Sequence, residues 1–413
     1  MSSPRASVVI VSQDRPRELR NCLSALRFQT VSNFEVIVVG DPSIETVLQD
    51  LALSEQVTFV KFNEANISKA RNLGISHATA PIVAFIDDDA VAEPTWLAHL
   101  LEAFKTPDVA AAGGFVRGRN GISFQWKADT IDATGEAIPL EVTDQVILQN
   151  VSNRAIKTPG TNCAFRRKSL IELGGFDPGF QFYLDETDVN LRLCRAGYST
   201  AIVPLAQVHH SYAKSARRQS NRAPRSLFNE GASKAYFLRK HAQDPDHFHA
   251  FARGQKTRLL RYMKHGDLEP RDVPRLMKTL HDGRDVGMKK VSIQAEIKKI
   301  DGVNPIFATA DSISPACLFS HWRKRTSAFN KATELARSGQ AVTVFLLSYT
   351  TLFHHRWFHE NGFWVQSGGV FGKSDRDSGL FRRTTLARRV KDEWASLNGI
   401  RYMPPLSLEP IQL

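Results

Sequence analysis

At 413 residues and 46.2 kDa the chain is too long for one ordinary domain, so two or three are expected. Its 42% hydrophobic and 23% charged residues exclude a disordered or collagen-like chain. A formal charge of +12 and a pI near 9.6 call for anionic partners (nucleic acid, acidic lipid or phosphorylated small molecules) without choosing among them.

The first 115 residues alternate strand and helix signals. Ser7 to Val11 is a β-branched run, Arg17 to Phe28 has helical apolar spacing, and Phe34 to Val39 reads as a second buried strand. Ile44 to Leu53 then reads as a helix, Val57 to Phe62 as a strand and Ile67 to Ala78 as a helix stopped by Pro81. Ile82 to Ile86 is a fourth strand. This βαβαβαβ order predicts a mostly parallel sheet with helices on both faces, and such sheets bind ligands at the carboxyl ends of their strands. The polar residues to read are therefore Ser12 to Arg15, Gly40 to Ser43 and Asp87 to Asp89.

Further along, an amphipathic helix starts near Asp185 with Gly197 as its C-cap, and a short strand, Ala201 to Val203, is followed by Pro204 and the pair His209-His210. Residues 217–303 are basic and mainly helical, with clusters that include Arg217-Arg218, Arg239-Lys240 and Lys289-Lys290. From 304 a second α/β rhythm predicts strands at Pro305 to Ala308, Ala341 to Leu347 and Phe363 to Val365, with helices at Arg325 to Arg337 and Thr384 to Leu397. The run Val8 to Val11 is too short for the core of a signal peptide, and Ala341 to Phe353 is too short to span a bilayer. Cys22, Cys163, Cys194 and Cys317 lack metal-ligand spacing and read as buried, reduced thiols of a cytosolic protein. A cytoplasmic chain, soluble or peripheral at the inner face of the membrane, is the expectation.

Three clusters carry chemistry. Asp87-Asp88-Asp89 follows a buried strand, where neighbouring carboxylates repel unless a hard cation such as Mg²⁺ or Mn²⁺ bridges them to a diphosphate; solvated acids capping the next helix are the plainer reading. Asp185-Glu186-Thr187-Asp188 places three acids in a first helical turn, either as dipole partners or with one carboxylate serving as general base. His209-His210 is a packed pair or supplies an imidazole to a metal.

Taken together, residues 6 to 216 resemble the family 2 glycosyltransferases of the GT-A fold. The segments similar to that family are Ser7-Val8-Val9-Ile10-Val11 with Arg15-Pro16, Phe34 to Val39, Ala70-Arg71-Asn72-Leu73-Gly74, Phe85-Ile86-Asp87-Asp88-Asp89, Gly160-Thr161-Asn162, Gly174-Gly175-Phe176-Asp177, Asp185-Glu186-Thr187-Asp188 with Leu191-Arg192, and Val208-His209-His210 with Ser215. The resemblance implies a GT-A, Rossmann-like catalytic domain at 1–216; the basic connecting region at 217–303 and a smaller α/β domain at 304–413 follow from the charge and periodicity described above. It implies an inverting transfer from a nucleoside-diphosphate sugar, with Mn²⁺ or Mg²⁺, in surface polysaccharide or glycolipid synthesis. Asp41 and Arg71 would contact the nucleotide base, Asp87 and Asp88 the ribose and diphosphate, and Asp89 and His210 the metal. Glu186 would be the base, with Asp185 as its fallback. The acceptor would be a saccharide or lipid-linked glycan, with contact to an anionic membrane surface and no nucleic acid partner. Two positions depart from the pattern: Gly40 stands where an acid is usual, and the acid pair reads Asp-Glu rather than Glu-Asp. The competing readings are a non-catalytic nucleotide-sugar or carbohydrate-binding protein of the same fold, and a nucleotidyltransferase; Ser12-Gln13-Asp14-Arg15-Pro16 lacks the glycine-rich phosphate loop of the latter.

Overall fold

A computed structural model describes residues 3–142, 146–148, 154–211, 219, 221–242, 246–292, 296–300, 302–310, 314–401 and 403–404. Ser215 and Arg217-Arg218 lie outside these residues. The chain opens with β1 (Ala6–Ser12), α1 (Pro16–Leu26), β2 (Phe34–Gly40), α2 (Ser43–Asp50), β3 (Thr58–Lys61), α3 (Ile67–His77) and β4 (Ile82–Ile86). The four strands are parallel in the order β3-β2-β1-β4. β1, β2 and β4 are mainly apolar and buried because both their faces are covered, whereas β3 at the edge is half-exposed. Alternate residues divide the core: Val8, Ile10, Val36 and Val38 pack against α1 and α2, while Val9, Ile37 and Val39 pack against α3 on the other face. Gly74 allows that approach, since a Cβ there would sit 2.4 Å from Val9 Cγ1. Asn66 caps α3 by accepting the Lys69 N–H.

Next come β5 (Ala90–Ala92), α4 (Trp96–Ala103), β6 (Val109–Arg117), β7 (Phe124–Trp126), β8 (Asp129–Ile131), β9 (Ala137–Pro139), β10 (Val146–Leu148), β11 (Ala155–Lys157), β12 (Asn162–Arg166), α5 (Arg167–Glu172), α6 (Asp185–Arg195) and β13 (Ser199–His210). β12 runs antiparallel between β4 and β6, and β13 is parallel to β6, extending the sheet past β4. The result is the expected mixed α/β layer structure with a curled, largely parallel sheet. α6 ends as expected at Gly197 (φ +82°), in a Schellman arrangement with Gly197 N–H donating to Cys194 O and Tyr198 N–H to Leu193 O.

The sequence expectation of a strand ending at Val203 is corrected. β13 continues through Pro204 to His210, because a register shift between Val203 and Val208 absorbs the missing proline donor and leaves Leu205 facing solvent. The histidine pair therefore lies within the strand rather than after it.

The basic region is helical, with α7 (Phe228–His241), α8 (Asp246–Lys264) and α9 (Asp272–Gly287) around a core that includes Leu227, Leu238, Leu259 and Leu276. Beyond it stand β14 (Pro315–His321), α10 (Arg325–Arg337), β15 (Ala341–Ser348), β16 (His355–His359), β17 (Phe363–Gly369) and α11 (Leu386–Ala395), with a sheet ordered β14-β15-β17-β16. Pro305 to Ala308 is not a strand. Its apolar character serves one contact, the buried Phe307 ring 5.5 Å from Phe34, and Phe307 N–H donates to Phe34 O outside any ladder. The first strand of this sheet is instead β14. All four cysteines are free, but only Cys22 and Cys163 are buried; Cys194 and Cys317 are half-buried. Among the described residues, no helix is long and apolar enough to cross a membrane.

Candidate active site

A cleft opens at the carboxyl ends of β1, β2 and β4. It is lined by Ser12, Arg15, Arg71, Asp87, Asp88, Asp89, Asp185, Glu186 and His210, and also by Arg225 before α7 and by Asn229 and Glu230 in its first turn. Segments far apart in sequence meet here because the sheet carries them to one edge.

The three aspartates after β4 occupy different environments. Asp88 is buried and accepts from Ser12 Oγ and Arg15 Nη1, each at 2.8 Å. Burial is the main influence on its carboxyl and, with Asp89 and Asp87 adding, pushes it up to about 7 against the pull of Arg15. Asp87 is half-buried and lies 3.7 Å from Arg71. Asp89 is buried, 3.5 Å from Arg15 and 3.1 Å from His210 Nε2. Antiparallel pairing of β5 with the end of β13, Ala90 opposite His210, makes that meeting possible. Ser211 N–H and Oγ both donate to Asp89 O.

Asp87, Asp89 and His210 offer ligand atoms that all lie within 4.8 Å of one another. On the other side of the imidazole, Nδ1 is 3.1 Å from Gln125 Oε1 on β7. A proton on Nδ1 donated to Gln125 leaves the Nε2 lone pair facing Asp89, the tautomer a metal ligand needs. Two carboxylates and one imidazole with this outer support fit Mn²⁺ or Mg²⁺. Asp88 is already engaged by Ser12 and Arg15.

Arg71 connects the triplet to the acid pair on α6. Its guanidinium is buried between the rings of Phe85 and Phe176, at 5.6 and 5.2 Å. It donates to Asp185 at 2.5 Å and to Gly160 O at 2.8 Å. Burial pushes the Asp185 carboxyl up, with Arg71 pulling the other way. Glu186, next along the helix, is half-buried and lines the cleft; the polar contact of its carboxylate is Thr187 Oγ1 at 3.3 Å. Asp185 is thus engaged by Arg71, and Glu186 lines the open cleft. The chain reaches this helix through Tyr183 and Leu184, both at positive φ (+72° and +68°). Two consecutive non-glycine residues in that region cost about 1–3 kcal/mol each and recur where function fixes the backbone.

Other residues singled out in the sequence lie elsewhere. Asp188 is fully buried and turned from the cleft, bonded to Arg192, Lys240 and His241. Burial works against its charge, but those three partners hold it well below the usual carboxylate range. It anchors α6 to α7. Asp41 accepts the Asp14 and Ser43 N–H groups, each at 2.8 Å, and bolsters the Ser12–Arg15 loop from behind. His209 is buried, 2.8 Å from Glu93, and burial lowers it to about 4. Sequence reasoning passed over Gln125, Tyr183 and the α7 wall. None carries a local motif; the positive φ values at Tyr183 and Leu184 emerge only from the backbone.

Residues 7–174 match the family model described as glycosyl transferase family 2. Among curated proteins, the chain is 28% identical over 185 residues to a glucosyl-dolichyl phosphate glucuronosyltransferase of Haloferax volcanii, covering 42% of this chain and 56% of that protein. It is 27% identical over 237 residues to the O-antigen biosynthesis protein RfbC of Myxococcus xanthus, covering 54% of this chain and 18% of that protein. It is 31% identical over 201 residues to the succinoglycan biosynthesis protein ExoM of Rhizobium meliloti, covering 46% and 61%. The chain thus spans less than two thirds of each of these relatives.

Proposed function

We propose that the protein, whose residues 7–174 match the family 2 glycosyltransferase model, transfers a sugar from a nucleoside-diphosphate sugar to an acceptor hydroxyl, with inversion. The observation that carries this reading is the convergence of Asp87, Asp89 and His210 with the open carboxylate of Glu186 in one cleft. Glu186 takes the proton from the acceptor hydroxyl while its oxygen bonds to the anomeric carbon and the bond from that carbon to the diphosphate oxygen breaks. The nucleoside diphosphate leaves with the bonding pair. Asp87, Asp89 and His210 would hold Mn²⁺ or Mg²⁺, which would supply positive charge to stabilise the leaving diphosphate. Arg15, at the mouth of β1, adds a fixed cation on the same side. Arg71 holds Asp185 and so sets the start of α6 that aims Glu186 into the cleft. In this reading Asp87 joins the metal rather than the ribose, and Asp41 acts on the nucleotide through the loop it holds.

The proposed organisation is a catalytic unit at 1–216, the helical region at 217–303 and a C-terminal unit at 304–413. The names of the relatives support surface polysaccharide or glycolipid synthesis as the setting, with a saccharide or lipid-linked acceptor. The reading is tested by incubating the chain with a panel of nucleotide sugars and measuring nucleoside diphosphate release. One donor should be consumed with Mn²⁺ present and spared when EDTA is added; release indifferent to metal would count against the site as described.

Peripheral contact with an anionic membrane at the cytoplasmic face is part of the same proposal. Arg253, Lys256, Leu260, Arg261 and Lys264 recur at helical spacing on the exposed side of α8, and none of the four cations pairs with a described acid. Each such cation near an anionic bilayer is worth about 1 kcal/mol. Reversing two of them (Lys256→Glu with Arg261→Glu) should therefore weaken co-sedimentation with phosphatidylglycerol vesicles by at least about 30-fold, and binding to neutral phosphatidylcholine should be weak throughout. Equal sedimentation of the double variant and wild type would remove the stripe from the account.

A further inference from the structure

Two residues beside the proposed metal ligands are tied to the far end of the chain. Glu93 follows Asp89 by one β-strand, β5, and His209 immediately precedes His210 on β13. The two strands pair, Val91 opposite His209 and Ala90 opposite His210. Glu93 closes the pairing: its N–H donates to Gln207 O, and its carboxylate Oε1 lies 2.8 Å from His209 Nε2. Glu93 is fully buried. A buried carboxylate persists only with charged or hydrogen-bonding partners, and its cationic partner comes from the C-terminal end. Arg401 grips Glu93 with both arms of its fork, Nε to Oε2 and Nη2 to Oε1, each at 2.7 Å.

Arg401 is itself fixed. Its guanidinium lies 4.2 Å over the ring of Trp364 on β17, and that ring also packs 4.9 Å from the His209 imidazole. Arg401 Nη1 is 3.3 Å from Thr343 Oγ1 on β15. The turn that delivers it docks on the start of α4: Thr95 Oγ1 donates to Gly399 O, and Thr95 N–H approaches Ile400 O. Two strands of the C-terminal sheet and its last turn thus converge on the two short segments that carry Asp89 and His210. A pairing brace at this place controls the spacing of the two ligands, and metal sites tolerate errors of only about 0.5 Å in ligand placement.

We propose that Arg401 is a positioning residue for Asp89 and His210, so that the C-terminal sheet acts as a brace that sets metal affinity in the cleft. The proposal rests on the metal reading given above and goes beyond it by giving residues 314–401 a role in that site. Without Arg401, the buried Glu93 carboxylate keeps His209 alone among the described side chains bonded to it, and the ends of β5 and β13 must rearrange to solvate it.

The test is Mn²⁺ titration of the full chain, followed by the paramagnetic resonance signal of free Mn²⁺, for wild type, Arg401→Ala, Arg401→Lys, Asp89→Ala and Phe307→Ala. Phe307 is a buried contact on the opposite end of β2, so its loss lowers stability without touching the brace. Arg401→Ala should bind Mn²⁺ about 10-fold more weakly than wild type. Arg401→Lys should fall between them, since it keeps the charge and loses the fork. Phe307→Ala should melt lower and bind Mn²⁺ as wild type does. Wild-type affinity in Arg401→Ala, with Asp89→Ala weakened, overturns the brace and leaves the metal site standing. Equal weakening in Phe307→Ala also overturns it, as a general stability effect. If Asp89→Ala binds as wild type does, the metal reading falls and the brace with it. Should Arg401→Ala fail to fold, Arg401→Lys carries the comparison: a drop in Mn²⁺ affinity supports the brace, and unchanged affinity overturns it.

Discussion

Replacing Glu186 by Gln should lower kcat for sugar transfer by about 10²- to 10⁴-fold, the usual worth of a positioned general base, while metal-dependent nucleotide binding stays at the wild-type level. The change is nearly isosteric, and the half-buried Glu186 carboxylate, 3.3 Å from Thr187 Oγ1 and beside Asp185, is not part of a buried ion pair among the described residues, so the fold should be unaffected. Asp185→Asn should behave differently. It removes the nearer of the two carboxylates beside the buried Arg71 and leaves only Asp87 at 3.7 Å, and breaking a buried pair costs up to about 3–5 kcal/mol, so melting temperature and activity should fall together. Steady-state kinetics and thermal melts of both variants separate the roles. If Glu186→Gln kept most of its kcat while Asp185→Asn lost activity at an unchanged melting temperature, Asp185 would be the base.

Asp89→Ala should reduce kcat/KM by at least about 10³-fold, because one change removes a proposed metal ligand and the carboxylate 3.1 Å from His210. Added Mn²⁺ should recover only part of the loss. Asp88→Asn should show another pattern, since its carboxylate contacts are with Ser12 and Arg15. It should loosen the loop after β1 and raise KM for the donor with less effect on the Mn²⁺ requirement. Kinetics over a Mn²⁺ series for both variants reads out the difference; equal Mn²⁺ dependence in Asp89→Ala and wild type would remove Asp89 from the metal site.

The first half of the fold was legible because its strands are covered on both faces and its helices on one. Val8 to Val11 and Ile82 to Ile86 are uniformly apolar and Phe34 to Val39 is broken only by the buried Glu35, whereas Leu19, Cys22, Leu23 and Leu26 keep helical spacing. Where one residue rather than a pattern decides the structure, sequence reading went astray. Pro204 reads as the end of a strand, but a bulge carries β13 on to His210. Pro305 to Ala308 looks like a strand, yet it is a connector that lodges the Phe307 ring. β14 is a half-exposed strand holding Ser320 and His321, so it shows neither clean alternation nor a full apolar run.

In the cleft, the acids and the histidine were legible as types at particular spacings, and the structure brings Asp87, Asp89, Glu186 and His210 to one opening. What each carboxylate does with its charge was not legible, because that depends on partners distant in sequence. Asp185 and Asp188 sit in the same first turn, yet one meets Arg71 and the other meets Lys240 and His241. The adjacent His209 and His210 point to opposite sides of β13, as successive strand residues must, so one joins Glu93 and the other Asp89. The resemblance singles out His210, and the pairing of β5 with β13 gives the physical reason the two histidines meet different carboxylates.

The measurement closest to the central claim is a thermal shift of the wild-type chain with UDP, GDP, dTDP and CDP, each with and without Mn²⁺. The account predicts that one nucleoside diphosphate raises the melting temperature, that it does so only with Mn²⁺ present, and that Asp89→Ala abolishes the effect. Stabilisation by a nucleotide that is the same without metal, or the same in Asp89→Ala, would contradict a metal-bridged donor site at Asp87, Asp89 and His210.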